Sequence, residues 1–139
     1  MSTNKTENYK LHTWEPQDDF LRSEFNENFA IIDAALHGKA EVVTGAYTGD
    51  GAASRTVTLG FTPRAVLIFR QDGRTGEDYG RYGGLALPGH PVQYELGVNK
   101  KVEIFSVVSG GFQANFTSTT SYMLGANQGG RVYHYLAVG

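Results

Sequence analysis

The sequence predicts a mainly β protein: a small antiparallel β-sandwich of about six or seven strands, preceded by one N-terminal α-helix. Three observations lead to this prediction. Apolar residues recur at three- and four-residue steps only between about residues 16 and 37. From residue 42 onward, short segments rich in Val, Ile, Thr, Tyr and Phe alternate with a period of two. Eighteen glycines in 139 residues, against an average share of about 7%, indicate many turns.

The composition limits the possible classes of function. Twelve Lys and Arg stand against 14 Asp and Glu, giving a net charge of -2, so no basic surface for nucleic acid or an acidic membrane is expected. The chain has no cysteine, which excludes disulfides, thiolate nucleophiles and Cys-containing zinc sites. No apolar run approaches the roughly 20 residues that cross a bilayer, and the polar N-terminus does not resemble a secretion signal. We expect no cofactor and no metal.

The first predicted element is an amphipathic helix over residues 16–37. Pro16 suits its first turn, and Gly38 is placed for a left-handed cap at its end. With Phe25 and Ile32 as a positions, Asn28 becomes a polar d residue inside a short heptad seam. The predicted oligomerisation surface consists of Leu21, Phe25, Asn28, Phe29, Ile32 and Leu36.

This helix needs a cover for its apolar stripe, and two arrangements would supply one. The helix lies across its own β-domain, or helices from several copies bundle together. We favour a parallel bundle and expect a homotrimer, because a long helix before an all-β body is hard to bury within one small chain. Residues 1–40 are then a polar segment plus an oligomerisation helix, and residues 41–139 are the sandwich. The first dozen residues would tether the trimer to other proteins or stay disordered until assembly.

The strands of the sandwich follow in order. They are predicted at residues 42–47, 55–59, 64–70, 101–108, 112–117 and 131–138, with a further one at 92–96. Residues 48–51 and 109–111 are predicted hairpin connections, and residues 60–63 a stiff crossing between two strands. The last strand has apolar residues on both sides, which predicts a central position with both faces buried. His134 on that strand is expected to be a packed histidine rather than a metal ligand or pH-sensitive contact at a three-fold axis.

Several of these segments carry a resemblance to a known family. Residues 43–51 (VTGAYTGDG), 55–67 (RTVTLGFTPRAVL) and 133–139 (YHYLAVG) resemble the C-terminal β-sandwich module of phage and prophage tail-fibre proteins. That module is in turn similar to the H-type lectin fold. Residues 14–29 (WEPQDDFLRSEFNENF) resemble the start of short tail-fibre-like proteins in prophages of Gram-positive bacteria.

The resemblance implies a structural and adhesive component of a phage or prophage tail that attaches to host surface glycans through multivalent contacts. Its expected partners are further copies of itself, upstream tail or baseplate proteins and host cell-surface polysaccharide. The expected location is the virion tail, or the bacterial cytoplasm before assembly. The alternative from another class is a lectin-like or scaffold protein that works outside any virion.

The candidate ligand-binding region is the longest irregular stretch, residues 71–91, because connections longer than about 12–15 residues are usually functional or disordered. Tyr79 and Tyr82 would offer flat faces to sugar rings, and the charged residues would hydrogen-bond sugar hydroxyls. The candidate binding residues are Asp72, Arg74, Asp78, Tyr79, Arg81, Tyr82 and His90.

An enzyme is the less favoured alternative for the same region. Asp72 and Asp78 would serve as the acid and base of glycoside cleavage only if held roughly 5 to 9.5 Å apart, with His90 as a proton carrier. Their spacing does not require this, and the sequence contains no Gly-x-Ser-x-Gly elbow, no His-Glu-x-x-His motif, no phosphate loop and no dinucleotide fingerprint. We therefore expect no catalytic residues.

Overall fold

The computed structural model covers residues 1–139 and consists of two units, Met1–Ala40 and Glu41–Gly139. The chain is mainly β with one helix, and the second unit is a small sandwich-like fold, which confirms the predicted fold class. The elements of the first unit are β1 (Asn4–Lys5), β2 (His12–Thr13) and α1 (Arg22–His37). Those of the second unit are β3 (Val42–Thr48), β4 (Ser54–Thr58), β5 (Ala65–Arg70), β6 (Gly76–Glu77), β7 (Gly80–Arg81), β8 (Gly84–Ala86), β9 (Val92–Gly97), β10 (Lys100–Val108), β11 (Gly111–Ser118), β12 (Met123–Gly125) and β13 (Val132–Val138).

The first unit is a β-hairpin joined to α1 by three helix side chains, Glu24, Glu27 and Asn28. The Glu27 carboxylate lies 3.0 Å from the His12 Nε2 atom. The Asn28 amide accepts a hydrogen bond from the His12 N–H at 2.6 Å and donates one to the His12 carbonyl at 2.9 Å. The buried Glu24 carboxylate accepts the Ser2 N–H at 2.8 Å and the Trp14 indole N–H at 3.0 Å. Burial alone would raise the pKa of Glu24, but these hydrogen bonds outweigh it and lower the pKa. The first dozen residues are therefore hydrogen-bonded to the helix, which disagrees with one of the two alternatives predicted for them, disorder until assembly.

The helix begins six residues later than its periodicity predicted. The Asp18 carboxylate accepts the N–H groups of Glu15 and Thr3 at 2.9 and 3.0 Å, which holds residues 15–18 in a turn. Leu21 is extended, so α1 starts at Arg22. At the other end, Gly38 has a φ of -79° and is right-handed. The prediction of a left-handed cap was wrong.

An apolar stripe formed by α1 and the two residues before it stays exposed. The rings of Phe20, Phe25 and Phe29 form a ladder with centroid separations of 5.3 and 4.7 Å, and Phe29 is 56% exposed. Leu21, Ile32 and Leu36 are exposed as well. The Asn28 amide, predicted at a d position of a helix seam, forms hydrogen bonds with the His12 backbone of the same chain. The helix is neither long nor apolar enough to span a membrane.

The second unit contains two sheets. One has four strands in the order β3-β13-β5-β8, all antiparallel. The other has seven strands. Six follow the order β6-β7-β12-β11-β10-β9, and the seventh, β4, pairs with residues 111–115 of β11, next to the residues 116–118 that pair with β12. The pair β7–β12 is parallel. The sandwich thus has more strands than the predicted six or seven, because short strands such as β6 to β8 carry no periodic signal of their own.

The core lies between inward-facing apolar side chains of these sheets. Val66, Ile68 and Tyr133 come from the four-stranded sheet, and Phe105 and Phe112 come from the other; all five are fully buried. Ring contacts bridge the sheets, for example Tyr47 to Phe112 with centroids 5.8 Å apart. Each Å² of apolar area removed from water contributes about 25 cal/mol to the free energy of folding. This cluster is therefore the main source of stability of the second unit.

The terminal strand β13 is central, as predicted, but it is buried on one face only. Tyr133 and Ala137 are fully buried, whereas Val132, His134 and Leu136 on the opposite face are partly exposed. His134 stacks on Phe69 with ring centroids 5.7 Å apart. The prediction of burial on both faces was therefore wrong.

The connections agree only in part with prediction. The hairpin at residues 109–110 is confirmed, with Gly110 at a φ of +77°. Residues 60–63 cross from β4 in one sheet to β5 in the other, as expected. Residues 48–51 are not a hairpin, because β3 pairs β13 and β4 pairs β11. They are a second crossing between sheets.

Candidate functional site

Residues 71–91, predicted to be irregular, contain a small hairpin that presents Tyr79. Strands β6 and β7 pair through Glu77 and Gly80, so Asp78 and Tyr79 form a two-residue loop. The Met123 N–H donates to the Tyr79 carbonyl at 3.1 Å, and β7 pairs with β12. The hairpin is thereby fixed to the edge of the seven-stranded sheet, with the Tyr79 side chain 68% exposed.

Three tyrosines meet at this place, and we call Tyr79, Tyr94 and Tyr122 the tyrosine surface. The Tyr122 ring lies between the other two, with centroids 6.2 Å from Tyr79 and 5.8 Å from Tyr94. Tyr94 on β9 and Tyr122 before β12 are partly buried against the core. A turn also holds Tyr122, since its N–H donates to the Thr119 hydroxyl at 3.0 Å. The result is a pre-ordered aromatic surface.

Two open cavities adjoin the tyrosine surface. Cavity A has a volume of about 270 Å³ and is lined by Thr75, Gly76, Glu77, Gly80, Arg81 and Tyr94. Cavity B has a volume of about 300 Å³ and is lined by Glu77, Tyr79, Thr119, Thr120, Ser121, Tyr122 and Met123. Glu77 lines both cavities. Each cavity therefore combines at least one aromatic ring with several hydrogen-bonding groups, as small-ligand sites usually do.

The charged residues of the hairpin are distributed around these cavities. Glu77 lies 3.8 Å from the Arg74 guanidinium, and both side chains are largely exposed. Such an exposed ion pair contributes little to stability, so both groups can form hydrogen bonds with a ligand. Arg81 lies across Gly76 and lines cavity A. This part of the site offers one carboxylate and two guanidinium groups.

Two of the seven predicted binding residues, Tyr79 and Arg81, line the cavities, and two more lie next to residues that line them. The Arg74 guanidinium is 3.8 Å from the Glu77 carboxylate, and Asp78 is in the hairpin loop beside Tyr79. His90 belongs to the tight turn between β8 and β9, where it pairs with Leu87, and lines neither cavity.

The remaining two predictions need correction. Tyr82 is only 2% exposed, and its ring lies beneath the Arg70 guanidinium at 4.4 Å, so it cannot offer a face to a sugar. Asp72 binds Arg70 at 2.8 Å and lines a separate cavity of about 400 Å³ with Arg131. The Arg74 N–H and the Arg70 guanidinium lower the pKa of Asp72. Asp72 is therefore held as a carboxylate, which disfavours its use as a proton donor.

Sequence reasoning missed Tyr94 and Tyr122. They are 28 residues apart in the sequence numbering, and they meet because β9, β10, β11 and β12 are neighbours in one sheet. No local pattern marks a pairing of this kind. No three His, Asp or Glu side chains are grouped so that they could hold a metal ion.

A second surface is notable for its lack of charge. The side chains on the outer face of the four-stranded sheet include no Asp, Glu, Lys or Arg, and we call this the charge-free face. Its members are Val42, Thr44, Ala46, Thr48, Ala65, Leu67, Phe69, Leu85, Val132, His134, Leu136 and Val138. A shallow apolar cavity of about 420 Å³ lies within it. Apolar surface of this kind usually marks an interaction site.

Comparisons with known proteins give no further assignment: no family model matches the chain, and neither the curated proteins nor the solved structures contain a match.

Proposed function

We propose that this protein is an adhesive component of a phage or prophage tail that binds host-surface glycans, with several copies acting together. The tyrosine surface is the observation that carries the proposal. It presents three fixed rings beside a carboxylate, guanidinium groups and hydroxyls. No catalytic residue is included in the proposal.

The chemistry of this surface suits sugars. One face of a sugar ring carries C–H groups that pack on an aromatic ring, while its hydroxyls need donors and acceptors at the edge. Tyr79 and Tyr122 supply rings for such packing, and Glu77 and Arg81 supply an acceptor and a donor. Because Tyr94 and Tyr122 are already held by the core, little conformational entropy is lost when a ligand binds.

Self-association is the second part of the proposal, with a homotrimer as the assembly. Two features support it: the exposed phenylalanine ladder of α1 and the charge-free face of the sandwich. Identical surfaces without charge can approach each other without like-charge repulsion. Three tyrosine surfaces held together would bind one polysaccharide much more tightly than a single one, through effective concentration.

The viral context rests on the resemblance of the sequence segments to tail-fibre proteins. In that context upstream tail or baseplate proteins are the remaining partners, and the virion tail is the location. A lectin-like or scaffold protein outside a virion would use the same surfaces, so the tests below address the binding and the assembly.

Light scattering after gel filtration tests the assembly. At micromolar concentration we expect the mass of three chains, and we expect Phe25→Glu combined with Phe29→Glu to lower it. Val98→Glu is the matched control, because Val98 is 95% exposed in a turn and its change should leave the mass unaltered. A wild-type mass of one chain would refute the bundle and the argument from multivalency.

A glycan array together with host cell-wall polysaccharide tests the binding. We expect Tyr122→Ala to weaken binding by at least about tenfold, as loss of one aromatic contact does. Tyr9→Ala removes an exposed tyrosine from the other unit and should bind like the wild type. Binding that is unchanged in Tyr122→Ala would place the site elsewhere, and release of reducing ends from the polysaccharide would establish an enzyme instead.

A further inference from the structure

We infer that the tyrosine surface binds two consecutive sugars of a chain, one in cavity A and one in cavity B, rather than a single terminal sugar. This inference rests on the proposed glycan binding and adds the kind of ligand. The feature behind it is the position of the two cavities, which are both lined by Glu77. Tyr94 lines cavity A, Tyr79 and Tyr122 line cavity B, and the Tyr94 and Tyr122 rings lie 5.8 Å apart.

The size of the cavities supports a ligand that fills both. Sites for small molecules usually have volumes of about 300–1,000 Å³. Cavity A, at about 270 Å³, is below that range, and cavity B, at about 300 Å³, is at its lower limit. The two taken together are well inside it. One sugar in one cavity would make few contacts, whereas two linked sugars would use the whole surface.

The rings provide continuity between the cavities. Tyr94 lines cavity A, Tyr79 lines cavity B, and Tyr122 contacts both rings in steps of 5.8 and 6.2 Å. A glycan chain that extends from one cavity into the other therefore lies against aromatic surface between them. The Glu77 carboxylate stands at the junction, where it can accept hydrogen bonds from hydroxyls of both sugars.

The two cavities differ in chemistry, so the two bound sugars should differ as well. Cavity A is lined by Arg81, whose guanidinium can only donate hydrogen bonds, and favours a sugar with a strong neutral acceptor such as an acyl oxygen, because the Glu77 carboxylate at the same cavity would repel an acidic sugar. Cavity B contains the hydroxyls of Thr119, Thr120 and Ser121 beside two rings, and favours a neutral sugar that presents its C–H face. Because both cavities are open at the surface, the chain can continue beyond either sugar. The ligand is thus an internal segment of a polysaccharide with unlike neighbouring sugars.

Affinity as a function of ligand length tests this inference. An array of glycans of one to six sugars first identifies the series that binds, and calorimetry on the full-length protein then measures each length. The decisive comparison is between one sugar and two, because it asks only whether a second sugar adds contacts at one tyrosine surface. We expect the affinity to rise at least about tenfold from one sugar to two, as a second aromatic contact would produce.

Variants assign each sugar to its cavity. Tyr94→Ala in cavity A and Tyr79→Ala in cavity B should each reduce the affinity for a disaccharide to the level of a single sugar. Arg81→Ala replaces Tyr94→Ala if the latter does not fold, and Tyr9→Ala is again the control. A single sugar that binds as tightly as the longer ligands, or a disaccharide that is insensitive to either cavity, would overturn the inference while glycan binding stands. If no glycan on the array binds, the proposed function fails and this inference fails with it.

Discussion

Asn127 offers a quantitative test of how the sandwich is held together. Its side chain is fully buried and forms three hydrogen bonds with the crossing between β3 and β4. The amide N–H groups donate to the Asp50 carboxylate at 2.7 Å and to the Ala52 carbonyl at 2.9 Å, and the amide oxygen accepts the Asp50 N–H at 3.2 Å. Each bond contributes about 1 kcal/mol net.

Asn127→Ala should therefore lower the free energy of unfolding of the second unit by about 3 kcal/mol. Asp50 and Ala52 are exposed, so water can satisfy their freed groups and a larger loss is not expected. For a unit of this size the change corresponds to a fall in Tm of roughly 12–24 °C. The matched control is Asn115→Ala, because its amide makes only long contacts with Glu103, at 3.3 and 3.4 Å. The control should cost less than about 1 kcal/mol.

Denaturant unfolding measures the effect, with a separate probe for each unit. The only tryptophan, Trp14, lies in the first unit, so its fluorescence follows that unit. Every tyrosine except Tyr9 lies in the second, so near-UV circular dichroism follows the sandwich. We expect Asn127→Ala to shift the tyrosine transition and to leave the Trp14 transition in place. A loss no greater than that of Asn115→Ala would refute the reasoning.

Three further predictions concern single side chains. The folded-state pKa of Glu24 is below its usual 4.5. The ionised carboxylate therefore stabilises the first unit at pH values above 4.5, and this stabilisation is lost as the pH falls through the folded-state pKa. Glu24→Gln should weaken the acid dependence of Trp14 fluorescence. Tyr82→Phe removes a buried hydroxyl that has no hydrogen-bond partner and should be neutral or stabilising, whereas Tyr133→Phe loses a hydroxyl bonded at 3.1 Å and should cost about 1 kcal/mol in thermal unfolding. Gly83→Ala should prevent folding of the sandwich, seen as lost tyrosine dichroism, because a Cβ there would collide with the backbone carbonyl of β5.

Local patterns were sufficient for the elements whose signal is carried by neighbouring residues. The alternation in β5, β10, β11 and β13 predicted strands within one or two residues of their bounds, because successive side chains of a strand face opposite sides of a sheet. The helix was predicted because apolar residues three and four positions apart lie on one face of a helix. Its start was misplaced because Asp18 bonds to Thr3, fifteen residues away, and holds the chain in a turn.

The candidate site was predicted only in part from local patterns. Tyr79 and Arg81 were found because a long glycine-rich stretch containing aromatic and charged residues is a local signal. Tyr82 in the same stretch differs only in facing inward, beneath Arg70, and its sequence gives no sign of this.

The sequence by itself determined the fold class, the presence of one helix, the positions of the long strands and the hairpin at residues 109–110, since each depends on contacts between near neighbours. The tertiary structure alone decided which strands are partners, which tyrosines meet and which side of the last strand is exposed. These depend on the packing of segments far apart in the chain, where many pairings share the same alternating pattern and only the joint burial of the core selects one.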